Sequence, residues 1–426
     1  MRVWTAGFAC FLGVLFAAPV TWAQDLAWAK RLGGATYEDG SGVAVDAAGN
    51  VFTVGSFSTT ADFDPGPGVY NLTSPSSTDV FISKLDAGGN FVWAKRLGGT
   101  SQQIGQGIAV DTTGNVYTVG QFAHTIDCDP GPGIYILTSA GDSDVFISKL
   151  DNDGNFVWAR QLGGASEDLA YGVAVDADGN VYTVGQFYGT ADFDPGPGIY
   201  NLTSEGGNAA FVWKLDSDGD FVWVRQVEGP DDSGYGITHD AAGDIYAIGY
   251  FFGTADFDPG PGTYDLHSTS NGDAFIWKLN SNGNFLWARH AGGDGDDVGL
   301  GVTVDLAGNV YTVGAFYGTV DFDPGPTTFE LTAAGSFPDA FIWKLDSNGE
   351  FVWAGALGAV GGSTAASRTV SAPSGSVYIV GSFYGTVDFS PGPNTHQLVS
   401  AGNFDAFVLR LWRRQLATGD LGIRWP

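Results

Sequence analysis

The chain has 426 residues and a formal net charge of −29, from 18 Lys and Arg against 47 Asp and Glu. Charged residues are only 15%, aromatic residues 14%, and 65 positions are glycine. A chain so apolar and aromatic is not disordered, one so acidic has no general surface for neutralising nucleic-acid phosphates, and its 2 cysteines cannot build a disulfide framework. Abundant glycine with few helix formers predicts short strands and tight turns.

The first element in chain order is a targeting segment. Arg2 is the only basic side chain before Lys30, an apolar run extends from Val3 to Val20, and Thr21-Trp22-Ala23 precedes the polar Gln24-Asp25. A basic start, an apolar stretch and a small residue at the cut describe a secretory signal peptide at 1–23, cleaved after Ala23. An uncleaved anchor is the alternative, since ~18 apolar residues nearly span a bilayer. Export would place the protein outside the cell, in a periplasm or at a cell surface, with no membrane span after cleavage. Cys10 lies in the leader, which leaves Cys128 as the lone thiol of the mature chain. It stands where the other copies of its segment carry an aromatic residue, so it reads as a small buried hydrophobe.

The rest is one unit written six times. Asp64-Pro65-Gly66-Pro67 recurs at Asp129, Asp194, Asp258, Asp323 and, altered, at Ser390, with spacings of 65, 65, 64, 65 and 67. A fixed period of this size predicts a propeller or solenoid in place of several unlike domains. Each period holds four strand-like runs, in the first copy Gly42 to Asp46, Asn50 to Gly55, Asp79 to Asp86 and Asn90 to Leu97. Each is short, rich in Val, Ile and aromatic residues, and bounded by Gly, Asn or Asp. Four strands per repeat, stacked around an axis, is a propeller blade. The third run occurs six times, but the fourth follows only five of them; its sixth copy is Asp25 to Leu32 at the N-terminus. The expected fold is therefore all-β, a single six-bladed β-propeller over 24–413, closed by the N-terminal strand pairing with Asp405 to Trp412. Residues 414–426 form a tail that matches no repeat strand.

Gly-Val-Ala-Val-Asp, Gly-Asn-Val-Tyr-Thr-Val-Gly and Asp-Ala-Phe-Ile-Trp-Lys-Leu-Asp together resemble the SBBP-type β-propeller repeat of bacterial exported proteins. The resemblance covers nearly all of the mature chain. It implies a propeller fold and carries no catalytic residues. The chain departs from the family in having six copies, and in a long insert with Asp-Phe-Asp-Pro-Gly-Pro-Gly.

That insert, about Ser58 to Thr78 in the first copy, is expected to fold as an extra hairpin and to make one face of the disc acidic. It supplies Asp62 and Asp64, Asp127 and Asp129, Asp192 and Asp194, Asp256 and Asp258, Asp321 and Asp323, and Asp388. Loops between repeats add Glu38, Asp39, Glu167, Asp168, Asp231, Asp232, Asp294, Asp296 and Asp297. Carboxylates on loops attract cations, so Ca²⁺ or a basic partner is one reading. The other is that Asp before Pro-Gly starts a turn by bonding its own backbone. The turns Asp151-Asn-Asp153-Gly, Asp176-Ala-Asp178-Gly and Asp216-Ser-Asp218-Gly lack the spacing and the final acid of an EF-hand.

Basic residues also follow the period: Lys84, Lys149, Lys214, Lys278, Lys344 and Arg410, then Lys30, Lys95, Arg160, Arg225 and Arg289. Their stems are expected to pack between blades, with the charges meeting repeat Asp residues. Trp213, Trp277 and Trp343 stand where other copies have Ser83, Ser148 and Leu409; they read as core or as a stacking surface. His124, His239, His267, His290 and His396 share no repeat position and no metal-ligand spacing. His239, with Arg368 and Ser371, breaks the uniformity of the first strand.

The sequence thus predicts an exported, monomeric, non-catalytic scaffold. It would bind a protein, a polysaccharide or a cation through its acidic loops, with no cofactor beyond possible Ca²⁺. The alternative is a metal-dependent hydrolase or lyase with its site at the axis.

Overall fold

The structure, a computed structural model, describes residues 28–412 except 270, 359–360, 373 and 393–394; the Ser76 side chain is also outside the description. The expected signal peptide at 1–23, residues 25–27 of the expected closing strand, and the 414–426 tail lie outside the described residues. Every regular element among the described residues is a β-strand.

Each repeat is an antiparallel sheet of consecutive strands. In the second repeat these are Gln103–Val110, Val116–Phe122, Asp144–Leu150 and Phe156–Gly164. Asp144 pairs with Phe122 and Leu150 with Val116, while Val145 faces Leu162 on the other side. The third strand is buried along its whole length, because neighbouring repeats cover both faces of the sheet. That is why its sequence runs almost continuously apolar instead of alternating. Equivalent strands are Asn71–Leu85, Asn201–Leu215, Asp273–Leu279, Asp339–Leu345 and Asp405–Leu411.

The first strands of successive repeats lie side by side: Glu38–Val45, Gln103–Val110, Asp168–Val175, Asp232–His239, Val298–Val304 and Ser363–Ser371. Their spacing is set by glycine. A β-carbon on Gly107 would sit 3.1 Å from the Tyr171 carbonyl oxygen, and one on Gly236 2.9 Å from that of Leu300. Each first strand carries a bulge at this point, between Gly105 and Gly107 in the second repeat and between Ala366 and Arg368 in the sixth. The sixth repeat alone puts a large side chain, Arg368, where the others have this glycine.

Basic residues tie one repeat to the next. Lys84 Nζ lies 5.0 Å from the Phe52 ring centre and donates to the Asn152 carbonyl of the next repeat at 3.1 Å. Lys149 does the same with the Tyr117 ring and the Ser217 carbonyl at 3.0 Å, and Lys214 with Tyr182 and the Ser281 carbonyl at 3.1 Å. Trp93 and Trp158 donate to the same Asn152 and Ser217 carbonyls, each at 3.1 Å. The stems pack between repeats as the sequence predicts. Their charges, however, end mainly on turn carbonyls, because the turn of the next repeat presents these oxygens first. Among the described residues three of them also meet carboxylates: Lys278 reaches Asp244 at 3.0 Å, Arg289 reaches Glu350 at 3.4 Å and Arg160 reaches Asp220 at 3.6 Å.

The chain ends differ from the interior. Trp28 Nε1 donates to the Ala87 carbonyl at 3.1 Å, the bond its counterparts Trp93 and Trp158 make. Gly33–Gly34 then pairs with Asp62 and Ala61, as Gly98 and Gly99 pair with Asp127 and Ile126. The N-terminal segment therefore holds the place of a fourth strand against the first repeat. Among the described residues no pairing joins it to Asp405–Leu411, whose sheet contains only the sixth repeat's three strands.

Candidate functional site

The inserts are hairpins. Thr60 pairs with Thr73, Ala61 with Leu72 and Asp62 with Asn71, and the Phe63 amide donates to the Tyr70 carbonyl at 3.0 Å. The alternation in Asp-Phe-Asp decides what faces the core. Phe63, Phe193, Phe257 and Phe322 are fully buried. Phe63 meets Phe57 edge-on at 5.4 Å, and Phe193 meets Phe187 at 5.3 Å. In the second repeat Cys128 takes this place, equally buried, and burial raises its thiol pKa far above the usual range.

The flanking carboxylates are half-buried and bonded to their own loop. Asp62 Oδ1 accepts from the Asp64 amide at 3.0 Å and the Tyr70 amide at 2.8 Å, and Asp64 Oδ1 accepts from the Gly66 amide at 2.7 Å. The Tyr70 amide, then that of Asp64, hold Asp62 below the ordinary carboxylate range, and the Arg31 charge adds to this. Asp127, Asp192, Asp256 and Asp321 repeat the same pair of bonds at 2.8–3.1 Å. Asp129, Asp194, Asp258 and Asp323 repeat the bond to glycine at 2.8–2.9 Å. In the sixth insert Asp388 still accepts from Ser390 at 3.0 Å and His396 at 2.8 Å.

These hairpins lie along the fourth strands. Tyr70 packs on Phe91 with ring centres 4.9 Å apart, and Tyr135 donates to the Ala159 carbonyl at 3.2 Å. Between fourth strand and insert run open polar grooves. One of about 470 Å³ is lined by Lys95, Arg96, Asp127 and Asp129; another of about 320 Å³ is lined by Lys30, Arg31, Asp62 and Asp64. Beyond the carboxylates, the hairpin tips carry Val69, Ile134 and Ile199 at 72%, 78% and 74% exposure. Sequence reasoning passed over these three. Their signal was there: a branched apolar residue directly after Pro-Gly-Pro-Gly in three adjacent repeats, where two of the later copies have Thr263 and Thr328.

Several carboxylates expected on the acidic loops are inside the molecule. Asp168 and Asp232 are fully buried and Asp297 is 1% exposed. Asp168 and Asp232 begin first strands and Asp297 directly precedes one, and each stands at a junction between repeats. In the Asp-x-Asp-Gly turns the first Asp bonds its own backbone: Asp151 Oδ1 accepts from Asp153 and Asn155 at 2.9 and 2.8 Å, and Asp176 Oδ1 from Asp178 and Asn180 at 3.0 and 2.9 Å. Among the described residues no group of three or more His, Cys, Asp or Glu side chains is placed to hold a metal ion.

Trp213, Trp277 and Trp343 are core. Trp213 Nε1 donates to the Phe193 carbonyl at 3.0 Å and Trp277 Nε1 to that of Phe257 at 2.9 Å. His239 bridges two repeats, with Nε2 2.9 Å from the Val175 carbonyl oxygen. Further variation along the first strands lies at the bulge residue before each glycine or its counterpart Arg368: Ser41, Gln106, Tyr171, Tyr235, Leu300 and Ser367. Tyr171 and Tyr235 are in contact, ring centres 4.8 Å apart.

A chain of antiparallel units, with three strands described in the sixth, stacked through their first strands and each carrying the same hairpin, is a repeat-built all-β protein. Residues 27–64, 92–121 and 157–186 match the SBBP β-propeller repeat family, which supports the resemblance read from the repeat motifs. Residues 258–286 also match the sperm-tail PG-rich repeat, over the segment containing Pro259-Gly260-Pro261-Gly262. An uncharacterized WD repeat-containing protein of Acanthamoeba polyphaga mimivirus is 24% identical over 326 residues, 62% of this chain and 23% of that protein. A regulatory protein FlaEY of Caulobacter vibrioides is 25% identical over 173 residues, 41% of this chain and 17% of that protein. The chain thus matches less than a quarter of either relative's length. A crystal structure of a protein of unknown function from Bacteroides caccae aligns over 74% of this chain and 81% of its own at 10% identity and a TM-score of 0.35, too loose a likeness to define the fold. Among the described residues no helix is long and apolar enough to cross a membrane.

Proposed function

We propose that the protein is an exported, non-catalytic β-propeller scaffold of six blades, closed by its N-terminal strand, that binds a partner along the acidic rim formed by its inserts. The observation that supports this most is the recurrence of one insert in all six repeats, anchored each time by the same pair of bonds to its first Asp, with the tips at Val69, Ile134 and Ile199 turned to solvent. A surface repeated around a scaffold suits an extended or multivalent partner, a polysaccharide or a basic protein. Ca²⁺ would sit at the Asp pairs, on oxygens not taken up by the loop amides. The WD-repeat description of one relative is consistent with a role in interaction.

The test is binding of the immobilised chain to a panel of defined polysaccharides and basic proteins. Changing Asp64, Asp129 and Asp194 to Asn should weaken capture of a ligand while the circular dichroism spectrum stays that of the parent. Equal capture by parent and variant would remove the rim from the reading. The alternative, a metal-dependent hydrolase or lyase at the axis, draws on the unlike bulge residues and on the Tyr171–Tyr235 contact.

A further inference from the structure

At three consecutive junctions a carboxyl group is sealed between repeats with no cation beside it. Between the second and third repeats, the Asp168 amide donates to the Ser143 carbonyl at 2.8 Å, which locks the start of one strand to the start of the next. Asp144 and Asp168 on either side of this bond are both fully buried. Asp144 Oδ2 accepts from the Ala140 amide and from Gln161 Nε2, each at 2.8 Å, and Asp168 Oδ2 accepts from the Gly164 amide at 2.7 Å. The Oδ1 atom of each has no donor. The charged groups facing Asp168 are Asp144 and Glu167, both acidic.

The next two junctions vary the theme. Between the third and fourth repeats Ala209 replaces the first carboxyl, and the Phe252 amide beside buried Asp232 makes no well-formed hydrogen bond to either of its oxygens; the charged neighbour there is Asp231. Between the fourth and fifth, the Asp297 amide donates to the Gly272 carbonyl at 2.8 Å. Asp297 accepts from the Gly293 and Tyr317 amides at 3.1 and 3.2 Å and faces Asp273 and Asp296. Asp273 holds His290 at 3.0 Å through Oδ2 and has no donor at Oδ1. The junction between the first and second repeats is the contrast. There Arg96 pairs with Asp79 at 2.7 Å, and neutral Gln103 begins the next first strand.

Two ionised carboxylates in a dry junction repel and leave oxygens unsatisfied, at high cost. One proton removes a charge and creates an O–H donor. We propose that Asp168, Asp232 and Asp297 are held as neutral carboxylic acids in the folded chain, so that the packing of the second to fifth repeats is proton-dependent: tightest in mild acid, looser as these groups ionise. Burial first, with the negative neighbours adding to it, pushes Asp168 up to about 7 and Asp232 and Asp297 up to about 8. An unfolded Asp titrates near ~3.9. Between these values the folded chain binds more protons than the unfolded one. The stability that these groups contribute is fully present below the unfolded value and is lost as pH rises through about 7 to 8.

The experiment is an infrared titration of the full chain, with melting curves alongside. A protonated-carboxyl C=O band present at about pH 6 should disappear by about pH 9, while the melting temperature should fall as pH rises from about 4 and level off above about 8. In the triple variant Asp168→Asn, Asp232→Asn, Asp297→Asn the band should shrink to what Asp144, raised by burial to about 6, contributes, the fall should flatten, and the melting temperature at high pH should exceed that of the parent. If the variant does not fold, the infrared titration of the parent decides alone. No carboxyl band at about pH 6 overturns the proposal. So does recovery of the parent's high-pH melting temperature on adding millimolar Ca²⁺, because a cation and not a proton would then fill the junctions.

Discussion

A β-carbon at residue 164 would lie 2.0 Å from the Thr190 carbonyl oxygen, and one at residue 99 would lie 1.7 Å from that of Thr125. The second glycine of each Gly-Gly pair is therefore dictated by the rim hairpin that crosses it. Gly164→Ala should cost about 2 kcal/mol or more, because the hairpin must lift off the strand. Gly40→Ala, with nothing within 4 Å of the added carbon, should change stability by less than about 0.5 kcal/mol. Urea unfolding of both variants checks the pair. The tryptophans give a second comparison at this scale. Trp277→Phe removes the donor to the Phe257 carbonyl, whereas Trp343 Nε1 has no partner to lose. The two rings are equally buried, so Trp277→Phe should be the more destabilising by about 1 kcal/mol. Equal losses would mean that packing alone sets both. Such residues were legible in the sequence only as positions. That Gly and Trp recur at fixed places is visible; that one glycine faces a carbonyl and another faces solvent depends on a neighbour some 25 residues further along the chain.

The strands and the insert hairpin were legible because each is bounded by its own turn chemistry. Asp-Phe-Asp-Pro-Gly-Pro-Gly contains the turn, the anchor and the alternation that separates them, so a local reading finds all three. The buried junction carboxyls were not legible, since Asp168 and Asp232 look in sequence like any polar start to a strand. Only contact with the preceding repeat, seen in the Ser143–Asp168 bond, takes them out of water. The insert also permits a test of what its carboxylates do. The sixth copy has Ser390 in place of the turn Asp, yet its strands keep the register of the second: Thr386 faces Val399 and Asp388 faces Gln397, as Thr125 faces Thr138 and Asp127 faces Ile136. The Asp388 bonds that hold this loop survive without the second acid. Ser390→Asp should therefore raise stability by less than about 1 kcal/mol and leave the stoichiometry of Ca²⁺ binding unchanged in calorimetry. One added equivalent of Ca²⁺ would show that the second Asp of an insert is an ion ligand.

At the scale of the whole chain, two faces stand apart from the rest. Val54, Val119, Ile248 and Val313 are fully buried by the following or preceding repeat, but their counterpart Val380 is 39% exposed; Ile82, Ile147 and Ile276 are fully buried, but Val408 is 75% exposed. Val43 and Val45 of the first repeat are 63% and 60% exposed. The same residue types at the same positions are wet at the ends and dry inside, so these faces are built to be covered. Arg368 complicates a simple closure. The five internal glycines at its position allow neighbouring first strands to approach, whereas its guanidinium bonds back to the Leu300 carbonyl at 3.3 Å. In a closed ring the junction of sixth and first repeats would then be wider at the axis than the others, and the outer strand would carry more of the join. That strand has a defined register: Ser148 faces Ala159, Trp277 faces Ala288 and Trp343 faces Ala354, so in a closed ring Leu409 faces Ala29. A chain carrying Ala29→Cys and Leu409→Cys, with Cys128→Phe to remove the native thiol, should oxidise at low concentration to a monomer with one internal disulfide and a raised melting temperature. Single-cysteine variants should gain nothing. Disulfide-linked dimers and longer species in place of that monomer would show that the first repeat of one copy covers the sixth of another, and that the protein grows end to end where a propeller would close.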